Sequence, residues 1–205
     1  MKHVICIRSA YTEGLLSERR LQLTEEFCIE SLRKQDHSYE LIVKVDANDP
    51  HLRMRQQMFQ SLKVPIRFTD GEWHTEGWAY KTRMDDDDAL FPTFMSRLAA
   101  SVGSSEWYTF AEGWVLNPND KLLKRRYVEN QFVTRFCGPT DSPYCMNHTK
   151  VTGHKIIDED PAWIWVRHED AKSPIQKWPR GCYGELPFGY TQYATDQVSM
   201  SYTRS

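Results

Sequence analysis

No apolar run in the 205-residue chain is long enough to cross a bilayer. The start, Met1-Lys2-His3-Val4-Ile5-Cys6-Ile7-Arg8, is basic, but its apolar stretch is too short for a secretory signal. An excess of one charge is also missing. Lys and Arg total 26 against 28 Asp and Glu, a formal net charge of −2, which speaks against a general nucleic-acid-binding surface. Cysteine is scarce. Cys6, Cys28, Cys137, Cys145 and Cys182 are odd in number and irregularly spaced, which argues against a disulfide framework and for a reducing compartment, the cytoplasm. Cys137, Cys145 and His148 have zinc-ligand chemistry, but neither a close cysteine pair nor a fourth ligand accompanies them. There is no internal repeat and no low-complexity segment.

What is present fits one globular domain over 1–205. Hydrophobic content of 40% and charged content of 26% are ordinary, so a substantial core is expected. Aromatic content of 13%, with seven Trp, is high enough to suit either core packing or stacking on sugars and bases.

Val4-Ile5-Cys6-Ile7 reads as a buried strand ending at Arg8. After a loop, Ser17 is positioned to cap a helix in which Leu21, Thr24, Cys28 and Leu32 form one apolar stripe. Tyr39 to Val45 is a second, β-branched strand, stopped by the turn Asp46-Ala47-Asn48-Asp49-Pro50. A helix over about Pro50 to Leu62 and a short strand over Val64 to Phe68 follow. Alternating strands and helices at this spacing predict βαβ units, hence an α/β fold with a mostly parallel, twisted sheet flanked by helices. Further along, Ala89 to Val102 has helical spacing, and Trp107 to Phe110 reads as a strand that Gly113 to Leu116 continues or pairs with. Gln131 to Phe136 alternates, and Ala162 to Val166 is a last strand delivering Arg167-His168-Glu169-Asp170. From Ser173 the pattern is irregular.

The most charged stretch is Lys81-Thr82-Arg83-Met84-Asp85-Asp86-Asp87-Asp88-Ala89-Leu90. Four adjacent carboxylates cannot sit inside a strand, so they occupy the turn between an extended segment and a helix starting near Ala89. Capping would use one or two of them. The remainder repel unless solvent screens them or a cation gathers them, and hard divalent ions take carboxylates together with substrate phosphates. A solvated acidic turn is the plainer alternative. In a parallel sheet ligands bind beyond the carboxyl ends of the strands, and Arg8, Asp46 and the aspartate run all lie at such ends.

The layout of strand, loop, helix, strand ending in Asp, then Arg-hydrophobe-Asp-x-Asp-Asp resembles GT-A type glycosyltransferases. Arg20-Leu21, Phe27-Cys28, Ser31-Leu32 and Gln35, followed by Thr82 to Leu90, resemble more narrowly the rhamnosyltransferase family, which includes viral members (for which the cytoplasm would be the host's). The likeness covers the first half of the chain and resumes at Trp163 to His168. It implies a GT-A-like fold, with a nucleotide-binding part at about 1–102 and an acceptor side at about 103–205. It also implies a nucleotide-sugar donor, a UDP-sugar, a glycan or glycoprotein acceptor, and Mn²⁺ or Mg²⁺. On this resemblance Asp85 faces the ribose or a metal-bound water, and Asp87 is the direct metal ligand. Asp46 meets the base, Arg8 and Arg83 line the donor pocket, and His168 completes the metal shell. Four aspartates leave the register open, so Asp86 or Asp88 are alternative ligands. The chain is short for a complete family member and fits a part of a longer multidomain protein.

Transfer with inversion also needs a base near the acceptor hydroxyl. Asp141, Glu169 and Asp170 are the carboxylate candidates, with Asp170 placed in the catalytic set beside Asp87. Two other classes remain open: a metal-dependent phosphohydrolase or nuclease, and a carbohydrate-binding module, which would require an all-β pattern.

Overall fold

A computed structural model describes residues 2–9, 18–103, 105–117, 120–158 and 160–167. Ser17, His168, Glu169, Asp170 and the tail from Ser173, all given roles or shapes above, lie outside the described residues.

The expected opening is present. Strands β1 (His3–Arg8), β2 (Glu40–Lys44), β3 (Ile66–Thr69) and β4 (Ala79–Asp85) pair in parallel in the order β3-β2-β1-β4. Beyond β4 the sheet continues through β9 (Thr134–Cys137), antiparallel to β4, then β6 (Trp107–Thr109) and β10 (Lys155–Ile156). The fold is a mixed α/β architecture around this seven-stranded sheet. Among the described residues, no helix is long and apolar enough to cross a membrane.

The helices cover one sheet face. Helix α1 (Glu18–Leu23) runs through a π-helical segment (Thr24–Ile29) into α2 (Glu30–Arg33). Its stripe of Leu21, Thr24, Cys28 and Leu32 is buried as the spacing requires. Helices α3 (Leu52–Gln60) and α4 (Phe94–Ser101) add Phe59, Phe94, Met95 and Leu98 to a core shared with Ile5, Ile7, Leu41, Val43 and Met84. Loops cover the other face, where Trp73 stacks on Tyr144 at 5.0 Å. Lys81, fully buried on β4, ties those loops down: its ammonium lies among the carbonyls of Trp73, Gly138, Pro139 and Asp141 at 2.7–3.0 Å, which share its three N–H donors.

Two expectations fail here. No helix begins at Ala89: Ala89–Leu90 is strand β5, paired antiparallel with β11 (Trp163–Val166), and α4 starts only at Phe94. Tertiary pairing overrides a spacing that would bury Leu90 in either conformation. Nor does Gly113 to Leu116 continue or pair with Trp107 to Phe110. It lies in β7 (Glu112–Asn117), part of a second sheet ordered β5-β11-β7-β8, whose edge strand is β8 (Asp120–Arg126). The reason is Trp163, fully buried over Gly113, with its indole nitrogen donating to the Phe110 carbonyl at 2.9 Å. A Cβ on Gly113 would lie 2.1 Å from a Trp163 ring carbon. Gly113→Ala should therefore cost about 3 kcal/mol through overpacking, read as a lower denaturant midpoint at constant slope; an unchanged midpoint would mean the two strands are not packed this way.

Candidate functional site

The chain steps outward from β1 through β2 to β3, then returns to the opposite side of β1 as β4. The carboxyl ends of β1 and β4 therefore flank a topological switch point, where the crossovers leave a crevice. Arg8 and Asp85 end those strands in direct register. The aspartate run turns away there.

Its four members face different ways. Asp86 turns inward and is buried: it accepts from Ser9 Oγ at 2.7 Å, Arg20 Nη2 at 2.6 Å and Arg55 Nη1 at 2.7 Å. Arg55 is itself buried and donates its Nε–H to Asp49 at 2.9 Å. Asp88, also buried, accepts the Val166 amide at 2.9 Å and the Gln131 side chain, which fixes the turn to β11. Asp85 is partly exposed and receives Arg8 through both oxygens, at 3.1 and 3.0 Å. Asp87 has Arg20 Nη1 at 3.5 Å.

Asp85, Asp87 and Asp88 converge, with one oxygen of each within 4.8 Å of the others. Burial, then the negative charges of Asp87 and Asp85, hold the Asp88 carboxyl well above the usual range. Burial also raises Asp85, although Arg8 opposes it. An all-oxygen set of crowded carboxylates fits a hard divalent cation such as Mg²⁺ or Mn²⁺. Among the described residues no other group of three metal-ligating side chains assembles, so Cys137, Cys145 and His148 form no zinc site.

Cationic groups border the cluster. Tyr144 packs on the β1–β4 seam, its hydroxyl 2.8 Å from the carbonyls of Cys6 and Met84. Arg83 lies over its ring at 4.5 Å and Arg8 at 5.5 Å. Arg83 is buried and gives Nη1–H to the Met146 carbonyl at 3.2 Å, while its Nε–H has no hydrogen-bond partner. Burial lowers its pKa, as expected for a guanidinium short of counter-charge. Arg167, buried at the end of β11, is similarly lowered, with Asp88 and Asp87 acting against that shift.

The chain matches no protein-family model and no curated protein. Two crystal structures of S. aureus TarS are similar to it. One has a TM-score of 0.43 and 12% identity, over 83% of this chain and 38% of that one. The other, TarS 1-349 in complex with UDP, has a TM-score of 0.45 and 12% identity, over 83% of this chain and 62% of that one. The chain spans less than two thirds of either.

The structure thus brings together Arg8, Arg83, Asp85 and Asp87, with Asp88, one of the two alternative ligands, beside them. Asp86, open as an alternative ligand in sequence, is held by two arginines instead. Asp46 stands in the turn after β2, its Oδ1 accepting the Asn48 amide at 2.8 Å. Asp141 is away from the crevice. Its Oδ2 accepts the Gly138 amide at 2.9 Å and its carbonyl faces Lys81, four residues or about 13 Å down β4 from Asp85. The sequence reading missed Arg55, Gln131 and Arg167. Arg55 did carry a signal, since it stands between Leu52 and Phe59 on the inward stripe of α3, where an unpaired cation is not tolerated.

Proposed function

We propose that this chain is a divalent-metal-dependent glycosyltransferase domain of GT-A type. Its donor is a UDP-sugar carrying rhamnose or another hexose, and its acceptor is a glycan or glycoprotein hydroxyl. The convergence of Asp85, Asp87 and Asp88 beside Arg8 and Arg83, at the switch point, carries the reading. Residues about 1–102 would form its nucleotide side and about 103–205 its acceptor side.

Asp85, Asp87 and Asp88 would hold Mn²⁺ or Mg²⁺, with His168 completing the shell. When bound, the cation neutralises the charge that builds on the departing diphosphate. Asp86 meanwhile keeps the turn in place through Ser9, Arg20 and Arg55. Arg8 now neutralises Asp85. Were Asp85 taken up as a metal ligand, the half-exposed Arg8 guanidinium would be free to pair with the diphosphate. Arg83, buried beneath Tyr144 with its Nε–H unpartnered, would add positive charge to the wall of the donor pocket. Asp46, with one carboxylate oxygen engaged in its turn, contacts the base through the other.

A nucleoside-diphosphate panel with and without Mn²⁺ tests this. UDP should raise the melting temperature with Mn²⁺ and little without it; stabilisation by UDP that ignores the metal would remove the metal from the proposal. His168→Asn should weaken Mn²⁺-dependent UDP binding at pH 7 and flatten its loss between about pH 7 and 5.5, since only neutral imidazole ligates. Identical pH profiles for the two proteins would make His168 structural. The all-β carbohydrate-binding alternative does not fit the mixed α/β sheet. No second carboxylate or histidine cluster among the described residues favours a phosphohydrolase.

A further inference from the structure

A cation that takes Asp85 as a ligand deprives Arg8 of its anion. Among the described residues the Arg8 guanidinium meets two groups. One is Asp85, clasped through both oxygens at 3.1 and 3.0 Å; the other is the Tyr144 ring, 5.5 Å from Cζ to centroid. Arg8 is half-exposed, so without its carboxylate the side chain would spread over many rotamers. Ordering it again would cost affinity for any diphosphate it met. The Tyr144 ring is the contact that remains.

That ring is firmly held. Cys6 and Arg8 on β1, and Lys81, Arg83 and Asp85 on β4, alternate onto one face of the sheet, and the segment from Gly138 to Met146 crosses it. Lys81 Nζ lies 3.0 and 2.8 Å from the carbonyls of Gly138 and Asp141, and Arg83 Nη1 donates to the Met146 carbonyl at 3.2 Å. Between these anchors the Tyr144 hydroxyl lies 2.8 Å from the carbonyls of Cys6 and Met84 and accepts the Met84 amide at 3.1 Å. Trp73 stacks on the ring at 5.0 Å, and its own carbonyl is 2.7 Å from Lys81 Nζ. The ring carries Arg83 at 4.5 Å as well as Arg8. Two guanidiniums on one ring repel each other, so the arrangement favours an anion beside them. Asp85 is that anion now.

We propose that Tyr144 is a positioning residue of the donor site: its ring keeps the Arg8 guanidinium beside the carboxylate cluster when Asp85 passes to the cation, so that Arg8 meets the diphosphate already oriented. The inference rests on the donor-site reading above. Tyr144 itself touches neither cation nor nucleotide in this role, and acts through Arg8.

A double-mutant cycle on UDP affinity with Mn²⁺, measured by calorimetry, separates this role from a structural one. Arg8→Ala should weaken UDP about tenfold. Tyr144→Leu should weaken it about fivefold when Arg8 is present, the scale of a lost cation–π contact. In the Arg8→Ala background the same change should cost less than about twofold, because the ring then has nothing to orient. Tyr144→Phe restores the ring and should recover most of the loss. In the wild type saturated with UDP and Mg²⁺, the Arg8 side-chain protons should keep the upfield shift that the Tyr144 ring produces, a measurement that needs no variant to fold. Equal losses with and without Arg8, or no loss in either, overturn the assignment. So do a Tyr144→Phe loss as large as that of Tyr144→Leu, an Arg8→Ala variant that binds UDP as wild type does, or Arg8 resonances at random-coil positions in the complex. All of these leave the metal site standing. Absence of Mn²⁺-dependent UDP binding in the wild type overturns the donor site itself, and this role with it.

Discussion

Asp86→Ala is expected to destabilise the protein by about 3 kcal/mol, the lower end of the cost of breaking a buried ion pair. Asp86 and Arg55 are each about 1% exposed. Removing the carboxylate leaves the Arg55 charge in the core with Asp49 as its remaining anion, takes Ser9 off the turn and leaves Arg20 only its longer contact with Asp87. For a chain of this size the loss corresponds to about 6–12 °C in melting temperature. Circular dichroism melts of the metal-free protein measure it. A drop of less than about 2 °C would mean that Asp86 is an exposed member of the acidic run, and the division of labour among the aspartates would be wrong.

Asp87→Asn should do the reverse. The metal-free protein should melt where wild type does, or slightly higher, because one of three crowded carboxylates loses its charge while Arg20 keeps Asp86. Mn²⁺-dependent UDP affinity, measured by calorimetry, should fall at least about 100-fold, since removing even an outer-shell partner of a metal ligand costs 10–100-fold. The pH dependence carries the same signature. Asp88 and Asp85 have folded-state pKa values raised, by burial first, above the ordinary carboxylate value of about 4. The folded state then binds more protons than the unfolded one, so metal-free stability falls as pH rises from that value through the raised ones. Saturating Mn²⁺ should flatten this slope. A slope identical with and without Mn²⁺ would place the cation elsewhere.

Much of the scaffold was legible because its physics is local. The buried run Val4 to Ile7, the stripe Leu21, Thr24, Cys28 and Leu32, and the turn after Val45 each state their environment within a few residues. They were enough to predict a parallel sheet with Arg8 and the aspartates on one rim. The site's internal order was not legible. Strand alternation separates Asp85 from Asp86 but stops there, because β4 ends at Asp85. The direction of Asp88 is set by the amide of Val166, 78 residues away. The same long-range pairing turned Ala89–Leu90 into a strand against its helical spacing.

Asp85, Asp87 and Asp88 should together gather one divalent cation that receives a nucleoside diphosphate. Anomalous diffraction at the manganese edge, from crystals grown with UDP and MnCl₂, tests it most directly. A single strong peak is expected at about 2 Å from oxygens of Asp87 and at least one of Asp85 and Asp88, with phosphate oxygens on the same ion and Arg8 turned from Asp85 toward them. A manganese peak away from these carboxylates, or UDP seated elsewhere with Arg8 still clasping Asp85, would contradict it.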